Sequence, residues 1–480
     1  MKGKISFGSA ETHNTSYSLK TVRIVGSYST LSLLFKFFFK ILRPQSKAIL
    51  LSSRISSNGS TTALVRRTCL RAIHTKGPII EVVPKPPSST YRPPTPPAGI
   101  PLSKIISANN FPLSFSDAFA QWKVRHDIKS AEFDVLSTLP FFPDPDATRS
   151  AQSLSVDIGN GNWVNEFEVT QLDTETKNDI VVLHGYGAGL AFFYRNFDAL
   201  SSRPGWKLHA LDLLGYGCSA RPPFKIKSKD PYERIHETED FFIDAIEAWR
   251  KAKGIERFTF VAHSMGAYFA SAYSMKYPGH IKKLVLVSPA GVPRSSLSIS
   301  SIARRKLSSK TTSEVTGEKL IKVPAWFNFL WECHVSPFSL VRNTGPLGPK
   351  FVSGWTHRRF ANLPPVEAEA LHRYVYGIFN ARGSGEYALN YLLAPGAYAR
   401  WPLAERAANI TCDTMWVYGQ NDWMDRKGGE EACDNIAKAH GGKRPPMKIV
   451  SDAGHHIYLD NPKEFNELVL DVMREVEDKE

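Results

Sequence analysis

Residues 257–275 read RFTFVAHSMGAYFASAYSM. Among the first six, Phe258, Phe260, Val261 and Ala262 are apolar, and the run reads as a strand. From Met265 onward, small and apolar residues recur at helical spacing. Between the two lies Ala262-His263-Ser264-Met265-Gly266. A strand that turns abruptly into a helix lifts the central serine clear of its neighbours and needs small residues on both sides. Ala262 stands where such turns usually carry glycine. A serine held this way becomes a nucleophile once a base binds its hydroxyl. Taken alone, the pentapeptide could equally be an ordinary helix start.

The flanking sequence raises the stakes. IVVLHGYGAG (180–189), WKLHALDLLGYG (206–217), KKLVLVSPAG (282–291), TMWVYGQND (414–422) and MKIVSDAGHH (447–456) are all apolar, β-rich runs ending in Gly- or Asp-containing loops. They alternate with helical stretches, which predicts a mainly parallel central sheet flanked by helices. In such sheets functional groups gather beyond the carboxyl ends of the strands. His184-Gly185-Tyr186-Gly187 is placed to stabilise an oxyanion, because glycines let backbone N–H groups approach the oxygen that becomes negative. The expected donors are the Tyr186 and Met265 amides, with Gly187 as the less favoured choice. A nucleotide-cradling loop would want a later acidic ribose ligand or a P-loop lysine, and neither follows. Asp422 and His455 close two later strands and supply an acid and a base, with Asp425 and His456 as fallbacks. The chain order Ser, Asp, His is that of the α/β-hydrolase fold. Asp212 is expected to order its own strand-to-helix turn. Asn461-Pro462-Lys463-Glu464 reads as the capped start of the last helix. This chemistry calls for no metal and no cofactor.

The chain has 480 residues, with 42% hydrophobic and 22% charged, a globular composition. Its net charge of +14 is localised. Residues 1–76 carry thirteen Lys and Arg against the single acid Glu11, leaving 47 basic and 45 acidic residues for the rest. The body is therefore nearly neutral, which argues against a nucleic-acid partner. The five cysteines (Cys69, Cys218, Cys333, Cys412, Cys433) are odd in number and widely spaced, so a reducing compartment fits best. Residues 1–76 have the Ser-, Thr- and Arg-rich, acid-poor composition of a mitochondrial transit peptide. Within them LSLLFKFFFKILRPQSK (31–47) places Lys36, Lys40, Arg43 and Lys47 on one helical face. A secretory signal fits less well, because lysines break the apolar run. That run is also only about half the roughly 20 residues a membrane span needs. Residues 77–101 are a Pro-rich linker. The hydrolase domain is expected over 102–480, with a helical cap at about 292–400, before the acid strand. Inside the cap, the Ser-rich stretch 295–314 reads as a mobile loop. Trp326, Phe327, Leu330, Trp331 and Phe338 are candidates for acyl-chain contact, although all five could be core. The basic residues Arg304, Arg305, Lys306, Lys310, Arg358 and Arg359 could attract anionic head groups, at about 1 kcal/mol each near a surface. For the first four, a solvated loop is an equal reading.

From about Lys177 onward the chain resembles one branch of the α/β-hydrolases. That branch holds the fungal mitochondrial cardiolipin-specific deacylase, a lipid-droplet lipase co-activator also described as a lysophosphatidic acid acyltransferase, and an N-acyl phospholipid lipase. The residues carrying the resemblance are LDLLGYGCSARP (211–222), VSPFSLVRNTGPLGPKFV (335–352) with RRF (358–360), YGQNDWMD (418–425) and GHHIYLDNPKEFN (454–466). The resemblance implies a serine enzyme without cofactor, acting on phospholipid acyl esters. Cardiolipin deacylation to monolysocardiolipin is the first expectation. The alternatives are lysophospholipid acyl transfer and non-catalytic lipid-binding regulation. His455 and Asp460 match the family's His, four residues, Asp pattern linked to acyl transfer. Asp460 could instead order the terminal helix. The co-activator lacks the elbow serine, whereas Ser264 is present here. Together with the N-terminal segment, these features predict a mitochondrial protein on the matrix side of the inner membrane, in peripheral contact with it and with a cardiolipin-like substrate.

Overall fold

The structure is a computed structural model that describes residues 111–307 and 323–479. The presequence and linker expected over 1–101 lie outside the described residues. Eight strands form one sheet: β1 (Arg149–Gly159), β2 (Asn162–Gln171), β3 (Asn178–Leu183), β4 (Trp206–Leu211), β5 (Phe258–His263), β6 (Ile281–Val287), β9 (Thr414–Gly419) and β10 (Met447–Val450). Their spatial order is β1-β2-β4-β3-β5-β6-β9-β10. From β4 to β10 neighbours run parallel, whereas β1 with β2, and β2 with β4, are antiparallel. A separate ribbon pairs β7 (Leu393–Ala394) with β8 (Tyr398–Ala399).

The order explains where a site can form. After β3 the chain adds β4 on one side and then returns to add β5 on the other, so the β3 and β5 ends diverge into a crevice. Leu183 pairs with Ala262, which sets the His184 loop beside Ser264. Val287 pairs with Val417 and Val450 with Gly419, so the β6, β9 and β10 ends continue the same rim. All six residues of β5 are buried, Thr259 and His263 included, as a central strand covered on both faces requires.

Between β6 and β9, where the cap is expected, the described chain is largely helical. Ile299–Leu307 is a helix, which corrects the mobile-loop reading for that part of the Ser-rich stretch. The Ser298 hydroxyl accepts from the Ser301 amide at its start, supplying a cap that composition alone concealed. Further helices are Ala325–Glu332, Pro337–Asn343, Gly348–Arg359 and Pro365–Asn380. At the N-terminal end, the amphipathic stretch from Phe115 forms two helices, Phe115–Lys123 and Ile128–Leu136. The break falls where Asp127 accepts from the Ser130 amide and caps the second helix. Among the described residues no helix is long and apolar enough to cross a membrane.

Candidate active site

The elbow takes the conformation its sequence demands. Ser264 has φ 56° and ψ −117°, a strained region for a residue with a Cβ. Its amide donates to the Val287 carbonyl at 2.9 Å, and its carbonyl accepts from Ala290 at 3.1 Å. A Cβ on Gly266 would lie 2.2 Å from the His184 carbonyl oxygen, and one on Gly185 would lie 2.9 Å from the Ser264 Cβ. Both glycines are therefore needed for the β3 loop to close against the elbow.

Ser264 Oγ lies 3.0 Å from His455 Nε2, and His455 Nδ1 lies 3.2 Å from Asp422 Oδ1. Serine can donate to Nε2 while Nδ1 donates to the carboxylate only in the tautomer protonated on Nδ1. Burial would raise the Asp422 carboxyl, but the charge and hydrogen bond of His455 outweigh it and hold the group below its ordinary range. The Met424 amide adds a bond to Oδ1 at 3.1 Å. The fallbacks have other partners. Asp425 caps the helix Arg426–His440 through the Lys427 amide. The His456 ring lies against Phe192 at 6.2 Å between centroids, and burial, then the charge of Arg359, pushes its pKa well below the ordinary value.

Two buried histidines steady the loops. His184 donates from Nδ1 to the Gly185 carbonyl at 2.8 Å, and its Nε2 accepts from the Leu213 amide at 3.1 Å. Burial lowers its pKa, so the ring is neutral, and that arrangement ties the β3 loop to the β4 loop. His263 donates from Nε2 to the His455 carbonyl at 2.8 Å, fixing the backbone that carries the base. Burial, and then the proximity of His455, keeps it neutral as well. Gly187 has φ 69° in a turn closed by the Ala188 amide on the Gly185 carbonyl, with Tyr186 inside that turn.

Asp212 orders its own turn and does more. Oδ2 accepts from the Cys218 amide and from Asn165 Nδ2, both at 2.8 Å. Oδ1 accepts from the Leu190 amide at 2.8 Å, so the same carboxylate anchors the far end of the glycine loop. Asn165 Nδ2 also donates to Glu132, at 3.0 and 3.1 Å. Burial, and then the charge of Asp212, pushes Glu132 up to about 8. Neither Asn165 nor Glu132 stands out in the sequence, because each sits alone in an ordinary amphipathic stretch.

Asp460 departs from expectation. Asn461 caps the terminal helix Pro462–Glu477 by accepting from the Glu464 amide. Asp460 instead accepts from the Gly454 amide at 2.9 Å and from Arg359 Nη1 at 2.9 Å. Its carboxylate thus braces the turn before His455. The imidazole of His455 meets Ser264 and Asp422 rather than Asp460.

The apolar candidates separate. Phe338 stacks on Tyr186 at 5.2 Å and on Phe379 at 4.6 Å, directly over the glycine loop. Trp326, Phe327 and Trp331 form a row along the helix Ala325–Glu332, and the Trp331 indole donates to the Leu393 carbonyl at 3.0 Å. Leu330 lies on the same helix, partly buried. Packing accounts for Phe327 and Trp331, which are buried, whereas Trp326 is exposed.

A strand order that reverses beside a left-handed serine, with His and Asp from the next loops along the rim, defines the α/β-hydrolase architecture. The chain belongs to the α/β hydrolase fold family, whose sequence profile matches residues 179–462. It is 38% identical over 299 residues to a 1-acylglycerol-3-phosphate O-acyltransferase of Arabidopsis thaliana, covering 61% of this chain and 65% of that relative's length. It is 30% identical over 336 residues to the (lyso)-N-acylphosphatidylethanolamine lipase of Mus musculus, covering 68% of this chain and 87% of the lipase. With the 1-acylglycerol-3-phosphate O-acyltransferase ABHD5 of Rattus norvegicus the identity is 27% over 360 residues, 73% of this chain and 90% of that one.

Proposed function

We propose that this protein is a serine hydrolase of phospholipid acyl esters, with cardiolipin as substrate and monolysocardiolipin and a fatty acid as products. The observation that carries the reading is the unbroken relay from Ser264 Oγ through His455 to Asp422 on a left-handed elbow. Ser264 Oγ attacks the ester carbonyl while His455 Nε2 takes its proton. The Tyr186 and Met265 amides bind the oxyanion, each donor contributing on the order of 3 kcal/mol to the transition state. Gly187 is the alternative donor. His455 then protonates the departing lysolipid oxygen, takes a proton from a water as it attacks the acyl carbonyl, and returns that proton to Ser264 Oγ as the fatty acid leaves. Asp422 stays ionised and holds the tautomer. The lipid-named relatives support a phospholipid, and the acid-poor segment 1–76 supports a matrix-side location with peripheral membrane contact.

A second reading, delivery of the acyl group to a lysophospholipid hydroxyl, draws support from the acyltransferase relatives. The commitment of Asp460 to Gly454 and Arg359 weighs against a His455–Asp460 dyad for that purpose. Purified protein and cardiolipin vesicles separate the two. Fatty acid and monolysocardiolipin released without acyl-CoA, and abolished by Ser264→Ala, are expected. Lipid products that require an added acyl donor and a lyso acceptor would favour transfer. Fusion of residues 1–76 to a reporter tests the location, and a diffuse signal would contradict it.

A further inference from the structure

We propose that Arg359, with His456 and Tyr458, forms a buried subsite for the phosphodiester of the substrate head group; the proposal rests on the phospholipid reading above. Arg359 ends the helix Gly348–Arg359, and its side chain is only 8% exposed. Its Nη1 is taken by Asp460 Oδ1. Nε and Nη2 are buried and find no acceptor among the described residues. These two nitrogens share one edge of the guanidinium plane, the fork that meets two oxygens of a phosphate side by side. A buried donor pair left without an acceptor is costly, so a ligand that brings two acceptor oxygens to this edge relieves it.

The neighbours suit such a ligand. The Tyr458 hydroxyl is also buried without a partner among the described residues. Asp460, which holds Arg359, also donates its amide to the His456 carbonyl at 3.0 Å, and the His456 and Tyr458 rings lie 6.0 Å apart between centroids. The site adjoins the proposed chemistry, since Asp460 links the guanidinium to the amide of Gly454, the residue before the base. Asp460 also sets the charge preference. It already balances the guanidinium, so a singly charged phosphodiester fits better than a doubly charged phosphate monoester. The class of ligand is therefore a diester head group, as in phosphatidylglycerol or cardiolipin, rather than a lysophosphatidic or phosphatidic acid.

The test compares full-length wild type, Arg359→Gln and Arg359→Lys on phosphatidylglycerol, phosphatidic acid and diacylglycerol with identical acyl chains in the same mixed micelles. For Arg359→Gln, the ratio of kcat/KM for phosphatidylglycerol over diacylglycerol is expected to fall about tenfold, carried by KM. Arg359→Lys, which keeps the charge without the fork, should fall severalfold and serves if the Gln variant does not fold. Glycerophosphoglycerol should inhibit the wild type; inhibition by inorganic phosphate alone would overturn the lipid assignment. An unchanged ratio, or an equal fall in kcat on all three lipids, would make Arg359 a strut for the His455 turn and overturn the subsite. Calorimetric binding of glycerophosphoglycerol to Ser264→Ala, lost in Ser264→Ala/Arg359→Gln, reads the subsite without chemistry. Failure of the serine mechanism would show instead as hydrolysis surviving Ser264→Ala.

Discussion

At the scale of single residues, the account depends on Ser264 being held in an unfavourable backbone conformation for the sake of its hydroxyl. A residue with a Cβ at φ 56° costs on the order of 1–3 kcal/mol, and glycine removes most of that. Ser264→Gly should therefore melt several degrees above Ser264→Ala while both are inactive, as differential scanning calorimetry would show. Equal melting temperatures would mean that the elbow is not strained. Asp422 acts through His455, so Asp422→Asn should keep the fold but lower kcat by about four orders of magnitude, because the imidazole loses its tautomer. A loss below tenfold, measured on a soluble ester, would move the acid role elsewhere. Asp422, Asp425 and Asp460 show what sequence reading can distinguish at this scale. The first two follow from position, one facing the base and one at a helix start. The pair of Asp460 with Arg359 joins residues 101 positions apart, and no local pattern signals it.

At the scale of elements, the site is a contact between two loops, one after β3 and one after β5. Gly266→Ala would place a Cβ 2.2 Å from the His184 carbonyl, which is backbone and cannot swing aside. The variant should lose at least about 2 kcal/mol of stability and most of its activity, read by urea unfolding and ester turnover. A stable, active Gly266→Ala would show that the loops do not pack as described. These elements were legible because parallel strands buried on both faces leave long apolar runs, each stopped by Gly or Asp. The helix Ile299–Leu307 was not, since a run of serines and arginines has loop-like composition and its cap, Ser298, looks like its neighbours. The cap aromatics were equally ambiguous, because large apolar side chains serve packing and ligand alike. Only the Phe338–Tyr186 stack places one of them over the glycine loop.

At the scale of the whole molecule, a polar chain runs from the helix Ile128–Leu136 through Glu132 and Asn165 to Asp212 and the glycine loop. The native state holds a proton on Glu132 up to pH about 8, whereas the unfolded chain releases it near pH 4.3. For this group alone the native state binds more protons between those values, a contribution that falls by up to about 1.4 kcal/mol per unit as pH rises. Below about pH 6.5 it is opposed by the buried neutral His184, His263 and His456. Glu132→Gln mimics the protonated form and removes the Glu132 contribution, so it should gain stability relative to wild type as pH rises in parallel melts from pH 5 to 8. A difference between wild type and Glu132→Gln that stays constant across this window would refute the assignment.

The central claim is that Ser264, His455 and Asp422 act as one nucleophilic unit. Reaction with a fluorophosphonate, followed by peptide mapping, tests it most directly. One adduct on Ser264 is predicted, absent after Ser264→Ala and strongly slowed by His455→Ala. No adduct on the folded wild type, or an adduct on another residue, would contradict it.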